Sequence, residues 1–260
     1  MAGRALSART VGHAHRVLHR GLERAVAFEI ITRNVAHAVP PPKVERVEVT
    51  ILTGEQIGGV LHRICDHPLY PIVALAVTTG MRRGEICGLK WGSINLDAGT
   101  VLVECSLEET SVGVRIKPPK TKAGMRTISL PKSTVDILRA HHRRCLEQRM
   151  LLGLAGRPGP EEWVFPLIDG APYRPDKLSR DWGNLVRDRK LPRVMFHALR
   201  HSHASALIAA GVDIVTVSKR LGHGSPAITL GVYAHLFNRT DASAAQAMEK
   251  ALGSNLGPNF

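Results

Sequence analysis

The sequence predicts a mainly α-helical fold with a small antiparallel β-sheet, an α+β arrangement. Three observations predict it. Apolar residues recur at i, i+3, i+4 and i+7 in segment after segment of the 260 residues, the period of a helix with one buried face. Between residues 100 and 130 that rhythm gives way to short β-branched runs separated by turn residues, which read as strands. The chain is 44% hydrophobic, enough for a globular core, yet no apolar run approaches the roughly 20 residues that span a bilayer.

Residues 9–28 form the first predicted helix, with Val11, Leu18, Leu22 and Ala25 on an apolar face. Arg9, His13, Arg16, Arg20 and Arg24 recur at three- and four-residue steps and share another stripe. Pro40-Pro41-Pro42 then forbids helix and favours extended backbone, so a boundary is placed over residues 43–52. Thr53 caps the next helix and Gln56 completes a capping box. A helix over about 69–79 is apolar nearly all round, which predicts burial; it stops at Gly80, and a short helix carries Glu85 and Leu89. The expected sheet uses residues 100–105, 112–117 and 125–130, with residues 120–124 as the tip between its last two strands. Helices follow over 133–152, with Val135, Leu138, Cys145 and Leu146 inward, and over 175–189, with Trp182 and Leu185. Residues 153–162 between them are rich in Gly and Pro and read as an exposed linker. A last short helix lies beyond Asn238. There are no internal repeats.

Lys and Arg outnumber Asp and Glu by 35 to 22, a net charge of +13, which points to a polyanionic partner and most simply nucleic acid. Residues 1–46 alone hold eight Lys/Arg against three Glu. The first residues lack the apolar centre of a signal peptide. Cys65, Cys87, Cys105 and Cys145 form no C-x-x-C pair, so they read as reduced and mostly buried in a cytoplasmic protein.

Chemistry concentrates in residues 196–236. His197 and Arg200 lie three apart and share a helix face. Gly211 stops that helix, Asp213 caps the next, and Gly222 stops it in turn. Ser225-Pro226 opens another helix in cap-then-proline order, with Tyr233 about two turns in and His223 in the turn before it. A phenol, two imidazoles and a guanidinium are thereby gathered through two short turns.

His197-Ala198-Leu199-Arg200, then Leu221-Gly222-His223, then Tyr233 ten residues beyond that histidine, resemble the tyrosine recombinases, or phage integrases. The family's T-G-x-R-x-x-E box stands upstream as Thr79-Gly80-Met81-Arg82-Arg83-Gly84-Glu85. The resemblance implies the tyrosine recombinase catalytic-domain fold over residues 53–252, followed by a tail at 253–260 and preceded by residues 1–42 as part of a helical core-binding domain. That would leave a complete active site on an incomplete DNA clamp, hence weak DNA affinity. It also implies a nucleoid-associated enzyme for integration or excision of a phage or other mobile element. Its tyrosine forms a 3′-phosphotyrosyl link, frees a 5′-hydroxyl and later reverses, with neither ATP nor metal. Arg82, His197, Arg200, His223 and Tyr233 match catalytic positions, as does a hairpin-tip lysine, read as Lys120 with Lys122 as the alternative. Glu85 matches a position that supports the active-site arginine. Double-stranded DNA at an attachment site is the implied partner, with a homotetramer docked through the tail helix and accessory DNA-bending or excisionase proteins; no membrane is involved.

The chemistry of the residues agrees. Guanidiniums suit the charge that develops on the non-bridging oxygens of an attacked phosphodiester. A phenol titrates near ~10, so Tyr233 needs a cationic pocket and a base. His197 can take its proton or hydrogen-bond the phosphate, His223 can donate to a non-bridging oxygen, and a mobile lysine can protonate the leaving oxygen. Arg9, Arg16, Arg20, Arg24 and Lys122 are the expected DNA contacts. Two other readings compete. A metal-dependent hydrolase could use His197, His201, His203 and His223, but Asp213 is the stretch's only carboxylate. A non-catalytic DNA-binding remnant or regulator could use residues 213–236 as a helix-turn-helix.

Overall fold

The computed structural model describes residues 6–44, 50–119, 124–153, 156–234 and 241–252. The chain divides into two compact units, Met1–Val49 and Thr50–Phe260.

In the first unit, helix α1 spans Ala8–Ala27 and is capped by the Ser7 hydroxyl, which accepts from the Thr10 N–H. A 3-10 turn follows at Val35–Ala38, capped by Asn34. The two are tied by polar groups: the Asn34 amide donates to the His19 carbonyl at 3.0 Å and to Glu23 at 2.6 Å. The expected apolar stripe plays a smaller part than its pattern suggested. No residue of α1 is buried, and Val11 and Leu18 remain exposed. His19, Glu23 and Asn34 make the contacts instead, because the partner is a turn rather than an apolar helix.

The second unit begins with α2, Gly54–Arg63, entered through the expected Thr53/Gln56 capping box. Helix α3, Tyr70–Thr79, is buried almost throughout and ends at Gly80 in the left-handed region, φ +66°. A Cβ at Gly80 would stand 2.6 Å from the His203 ring and 2.8 Å from Leu221, so only glycine lets the chain turn here. Helix α4 covers Arg83–Cys87, leaving Leu89 just outside it. Helices α5 (Lys132–Leu151), α6 (Pro175–Asp188) and α7 (Phe196–Ala209) complete the scaffold around α3. Val73, Leu75, Leu138, Leu178, Trp182 and Leu199 are sealed in one core. Each fully buried leucine or valine contributes roughly 1.5–3 kcal/mol by leaving water. Trp182 satisfies its one polar atom by donating to the Val194 carbonyl at 2.8 Å.

The β region differs from the single expected sheet. Strands β1 (Ile94–Asn95), β2 (Thr100–Val103), β3 (Ser106–Thr110), β4 (Gly113–Lys117) and β5 (Arg126–Ser129) make two sheets, one ordered β1-β2-β5 and the other β3-β4. Strand β5 pairs with β2, Val101 opposite Ile128 and Val103 opposite Arg126. Strands β4 and β5 therefore belong to different sheets and do not pair with each other; of the expected tip at 120–124, all but Gly124 lies outside the described residues. Two strands are absent from the sequence reading: the two-residue β1, and β3, whose Ser-Leu-Glu-Glu-Thr lacks apolar alternation. Its carboxylates are met by tertiary partners: Glu109 pairs with Arg174 at 2.7 Å and accepts from the Asp176 N–H at 2.8 Å.

Helices α8 (Ile214–Leu221), α9 (Pro226–Tyr233) and α10 (Asp241–Leu252) close the chain. Asp213 caps α8 by accepting from the Val215 and Thr216 N–H groups, and Ser225 caps α9. Ala204, Ile208, Val217, Leu221 and Tyr233 make a second, smaller core between α7, α8 and α9. Among the described residues, no helix is long and apolar enough to cross a membrane.

Candidate active site

The turn after α8 organises the site. The last carbonyls of a helix have no partner within it and carry partial negative charge. Here three successive carbonyls each accept from a different arginine: Arg220 from Arg126 Nε at 2.7 Å, Leu221 from Arg200 Nη2 at 2.7 Å, and Gly222 from Arg82 Nη2 at 3.3 Å. Arg200 also donates to the Gly80 carbonyl at 2.6 Å. Gly222 makes this possible: it is left-handed, φ +66°, and a Cβ there would meet Arg126 Nη1 at 2.7 Å.

Glu85 is the anionic centre of the group. It accepts from the Arg82 backbone N–H and from Arg82 Nη1, both at 2.8 Å, and from Arg126 Nη2 at 2.9 Å and Nη1 at 3.2 Å. Burial pushes its carboxyl upward, but the bonds and charge of Arg126, then those of Arg82, outweigh this and hold it below the usual carboxylate range. Three guanidiniums against one carboxylate leave an excess of two positive charges. Arg200 is almost fully enclosed; burial, then the charge of Arg82, lowers it to about 9, so it stays protonated at neutral pH. The neighbouring Arg83 bonds Ser179 at 2.6 Å and Asp176 at 2.9 Å on α6, so Arg82 and not Arg83 joins the cluster.

Arg126 is a member of this cluster that the sequence reading did not include. A signal existed: in β5 the inward positions alternate, and Arg126 shares the buried face of Ile128. A charged residue at a core register needs a buried partner, and Glu85 is that partner.

The imidazoles divide by environment. His203 is core: its Nδ1 lies 2.9 Å from the Val77 carbonyl and its Nε2 accepts from Arg220 Nε at 3.1 Å. His223 is half-buried, its Nδ1 2.7 Å from the hydroxyl of the buried Thr229. Burial and the charges of Arg200, Arg82 and Arg126 lower it to about 4, which leaves it neutral. His197 is exposed, one turn from His201, and the two rings meet edge to face at 5.2 Å. Burial first, then His201 and Arg200, lower its pKa. His201 Nδ1 is 2.7 Å from the Tyr233 hydroxyl. Tyr233 itself is only 3% exposed, and burial pushes its phenol up to about 12 although Arg200 draws it the other way.

The structure thus brings Arg82, Glu85, Arg200, His223 and Tyr233 around the Gly80 and Gly222 turns, with His197 at the exposed edge of α7. Lys120 and Lys122 lie outside the described residues. Arg9, Arg16, Arg20 and Arg24 are all exposed on α1. Among the described residues, the one group of His, Cys, Asp or Glu that converges as metal ligands would is His19, Glu23 and His37, in the first unit.

A buried carboxylate bonded to Arg82 and Arg126, with Arg200 held by the Gly80 and Leu221 carbonyls, leaves a cluster with net positive charge, suited to an anion. The chain belongs to the phage integrase family, whose model matches residues 51–239. It is 28% identical over 224 residues to a XerC-like tyrosine recombinase of Caldanaerobacter subterraneus, a match covering 82% of this chain and 57% of the relative. It is also 28% identical over 253 residues to the ICEBs1 integrase of Bacillus subtilis, covering 95% and 67%. The chain therefore spans about three-fifths of the length of these relatives. Among solved structures it resembles the Tn1549 transposon integrase in complex with transposon right-end DNA, with a TM-score of 0.77 at 24% identity over 96% of this chain and 81% of that one. It resembles a lambda integrase dimer bound to a core site with a TM-score of 0.57 at 20% identity, covering 85% and 74%. These likenesses establish the tyrosine recombinase catalytic fold.

Proposed function

We propose that the chain is a site-specific DNA recombinase of a phage or other mobile element, cleaving and rejoining strands through a 3′-phosphotyrosyl bond on Tyr233. The observation that carries the reading is the set of three arginines fixed by Glu85 and by the α8 and Gly80 carbonyls, beside the buried phenol of Tyr233. Relatives named as integrases, and solved relatives holding DNA, support double-stranded DNA as the substrate.

In this reading Arg82 and Arg200 hold the non-bridging oxygens of the scissile phosphate with charge-assisted bonds whose geometry is set before DNA arrives. The Thr229 hydroxyl, donating to His223 Nδ1, keeps the proton of the neutral ring on Nε2, a third donor toward the phosphate. His197, exposed at the start of α7, contacts the phosphate from outside. Tyr233 attacks phosphorus, and the 5′-oxygen leaves with a proton from Lys120, or from Lys122 in its place. One phosphodiester replaces another of similar energy, so the exchange needs no ATP, and in this reading the arginines supply the charge stabilisation that a metal ion would otherwise give. Arg9, Arg16, Arg20 and Arg24 add phosphate contacts. On DNA, copies assemble as a homotetramer through α10, with accessory DNA-bending or excisionase proteins, in the cytoplasm on the nucleoid.

A nicked attachment-like DNA, incubated with the protein in EDTA and run on a denaturing gel, tests the proposal. A covalent protein–DNA band that Tyr233→Phe abolishes is expected. DNA binding with no such band on any nicked substrate would instead favour a regulator using α8 and α9 as a helix-turn-helix.

A further inference from the structure

A nucleophilic phenol must lose its proton, and the geometry points to His201, rather than His197, as the group that takes it. We propose that His201 Nδ1 is the general base for Tyr233, an inference that rests on the recombinase reading above. The His201 Nδ1 to Tyr233 oxygen distance of 2.7 Å is a full hydrogen bond, within reach for direct proton transfer. His197 is exposed and touches His201 by ring contact, which places it outside this pair.

The fold fixes the geometry from both sides. His201 sits one turn beyond His197 on α7 and next to Arg200, whose guanidinium is tied to two carbonyls. Tyr233 is anchored in the small core with Ile208, Val217 and Leu221. A ring and a phenol each held by packing lose little freedom on meeting, so the transfer is preorganised. Among the described residues, the charged and titratable groups around the pair are His197 and Arg200 from α7 and His223 from the turn before α9. Burial and then Arg200 lower the pKa of His201, which favours the neutral ring with one nitrogen free to accept; the proposal assigns that role to Nδ1, the nitrogen facing the phenol. A phosphodiester placed on Arg200 brings a negative charge that offsets this cation and raises the basicity of the ring. The base therefore strengthens when substrate is seated.

In the step itself, the Tyr233 O–H proton moves to His201 Nδ1 while the phenolic oxygen bonds to phosphorus. The P–O5′ bond breaks, its electron pair stays on the 5′-oxygen, and a separate acid protonates that oxygen. When the strand rejoins, imidazolium returns the proton to the departing phenol.

Two measurements test the assignment on the full chain. Long-range proton–nitrogen NMR at pH 7.5 reads the tautomer of His201: the proposal expects the proton on Nε2, and a proton on Nδ1 overturns it whether or not the chain cleaves DNA. Single-turnover cleavage of a nicked substrate gives the second readout. Loss of the base slows the step by about 100-fold or more. His201→Ala and His201→Asn should both show that loss, with rates that climb steadily with pH because hydroxide must now do the work, and with partial rescue of His201→Ala by added imidazole. Native cleavage should instead level off above the imidazole range. Rates equal to or faster than native in both variants would mean that His201 only stores the tyrosine, and would overturn the proposal while leaving the recombinase reading intact. Failure of the native chain itself to form the covalent complex would count against the recombinase reading, with the tautomer still deciding the pairing.

Discussion

The arginines of α1 and the arginines of the pocket carry the same charge in opposite settings. Arg9, Arg16, Arg20 and Arg24 stand in solvent on a helix with no buried residue. Arg126 and Arg200 are buried, and each of their guanidiniums is held by backbone carbonyls. A solvated arginine offers charge without position, and salt screens it within about 8–10 Å. A buried one offers both, at a desolvation cost that only bonded partners offset. In the proposed recombinase, the pocket would therefore fix the geometry of one phosphate, whereas α1 would add affinity alone.

The sharpest way to break this contrast is Glu85→Ala. It strands the buried Arg126 without its counter-charge, and removing one partner of a buried pair costs about 3–5 kcal/mol. Urea unfolding should register that loss, whereas Arg9→Ala should stay within about 0.5 kcal/mol. Equal small effects would mean that the pocket arginines are as solvated as those of α1.

Acid should act on the same interior. Burial and the charge of Arg220 lower His203 to about 4 from 6.5. Between those values the unfolded chain binds a proton that the folded chain does not, so stability rises with pH across the window. His203 thus contributes fully above about 6.5, and about 2 kcal/mol of stability should be lost on going from pH 7 to pH 5. Unfolding free energies that are flat over that range would contradict a neutral, buried His203.

The smallest effect belongs to α1. Arg16→Ala and Arg20→Ala should leave stability unchanged and each lower the slope of log affinity against log salt by about 1 if it contacts phosphate. A sequence-selective loss would sharpen the picture differently, by giving α1 a role in reading bases.

Much of this was legible in the chain because local rules and tertiary demands agreed. Thr53 with Gln56, Asp213, and Ser225-Pro226 mark helix starts through bonds made within three residues. The uninterrupted apolar run of α3 can only be buried. Spacing alone placed His197, Arg200, His223 and Tyr233 correctly on α7, the α8–α9 turn and α9. What stayed hidden depended on partners distant in sequence. Strand β3 looks like a charged loop until Arg174 and Asp176 are seen meeting Glu109. The β2–β5 pairing skips two strands, and no local pattern encodes that choice. Arg82 and Arg83 are chemically identical, and only α6 decides between them by holding Arg83 on Asp176 and Ser179. His201 reads as half of an i, i+4 histidine pair, yet its hydrogen-bond partner is a tyrosine 32 residues away.

The central claim, that this arginine-lined pocket makes Tyr233 a nucleophile toward DNA, is tested most directly by mapping the covalent adduct. The protein is trapped on a nicked substrate, digested with nuclease and protease, and its nucleotide-bearing peptide is sequenced by mass spectrometry. The account predicts a nucleotide 3′-phosphate esterified to Tyr233. An adduct on any other residue, or a 5′-phosphate linkage, would contradict it.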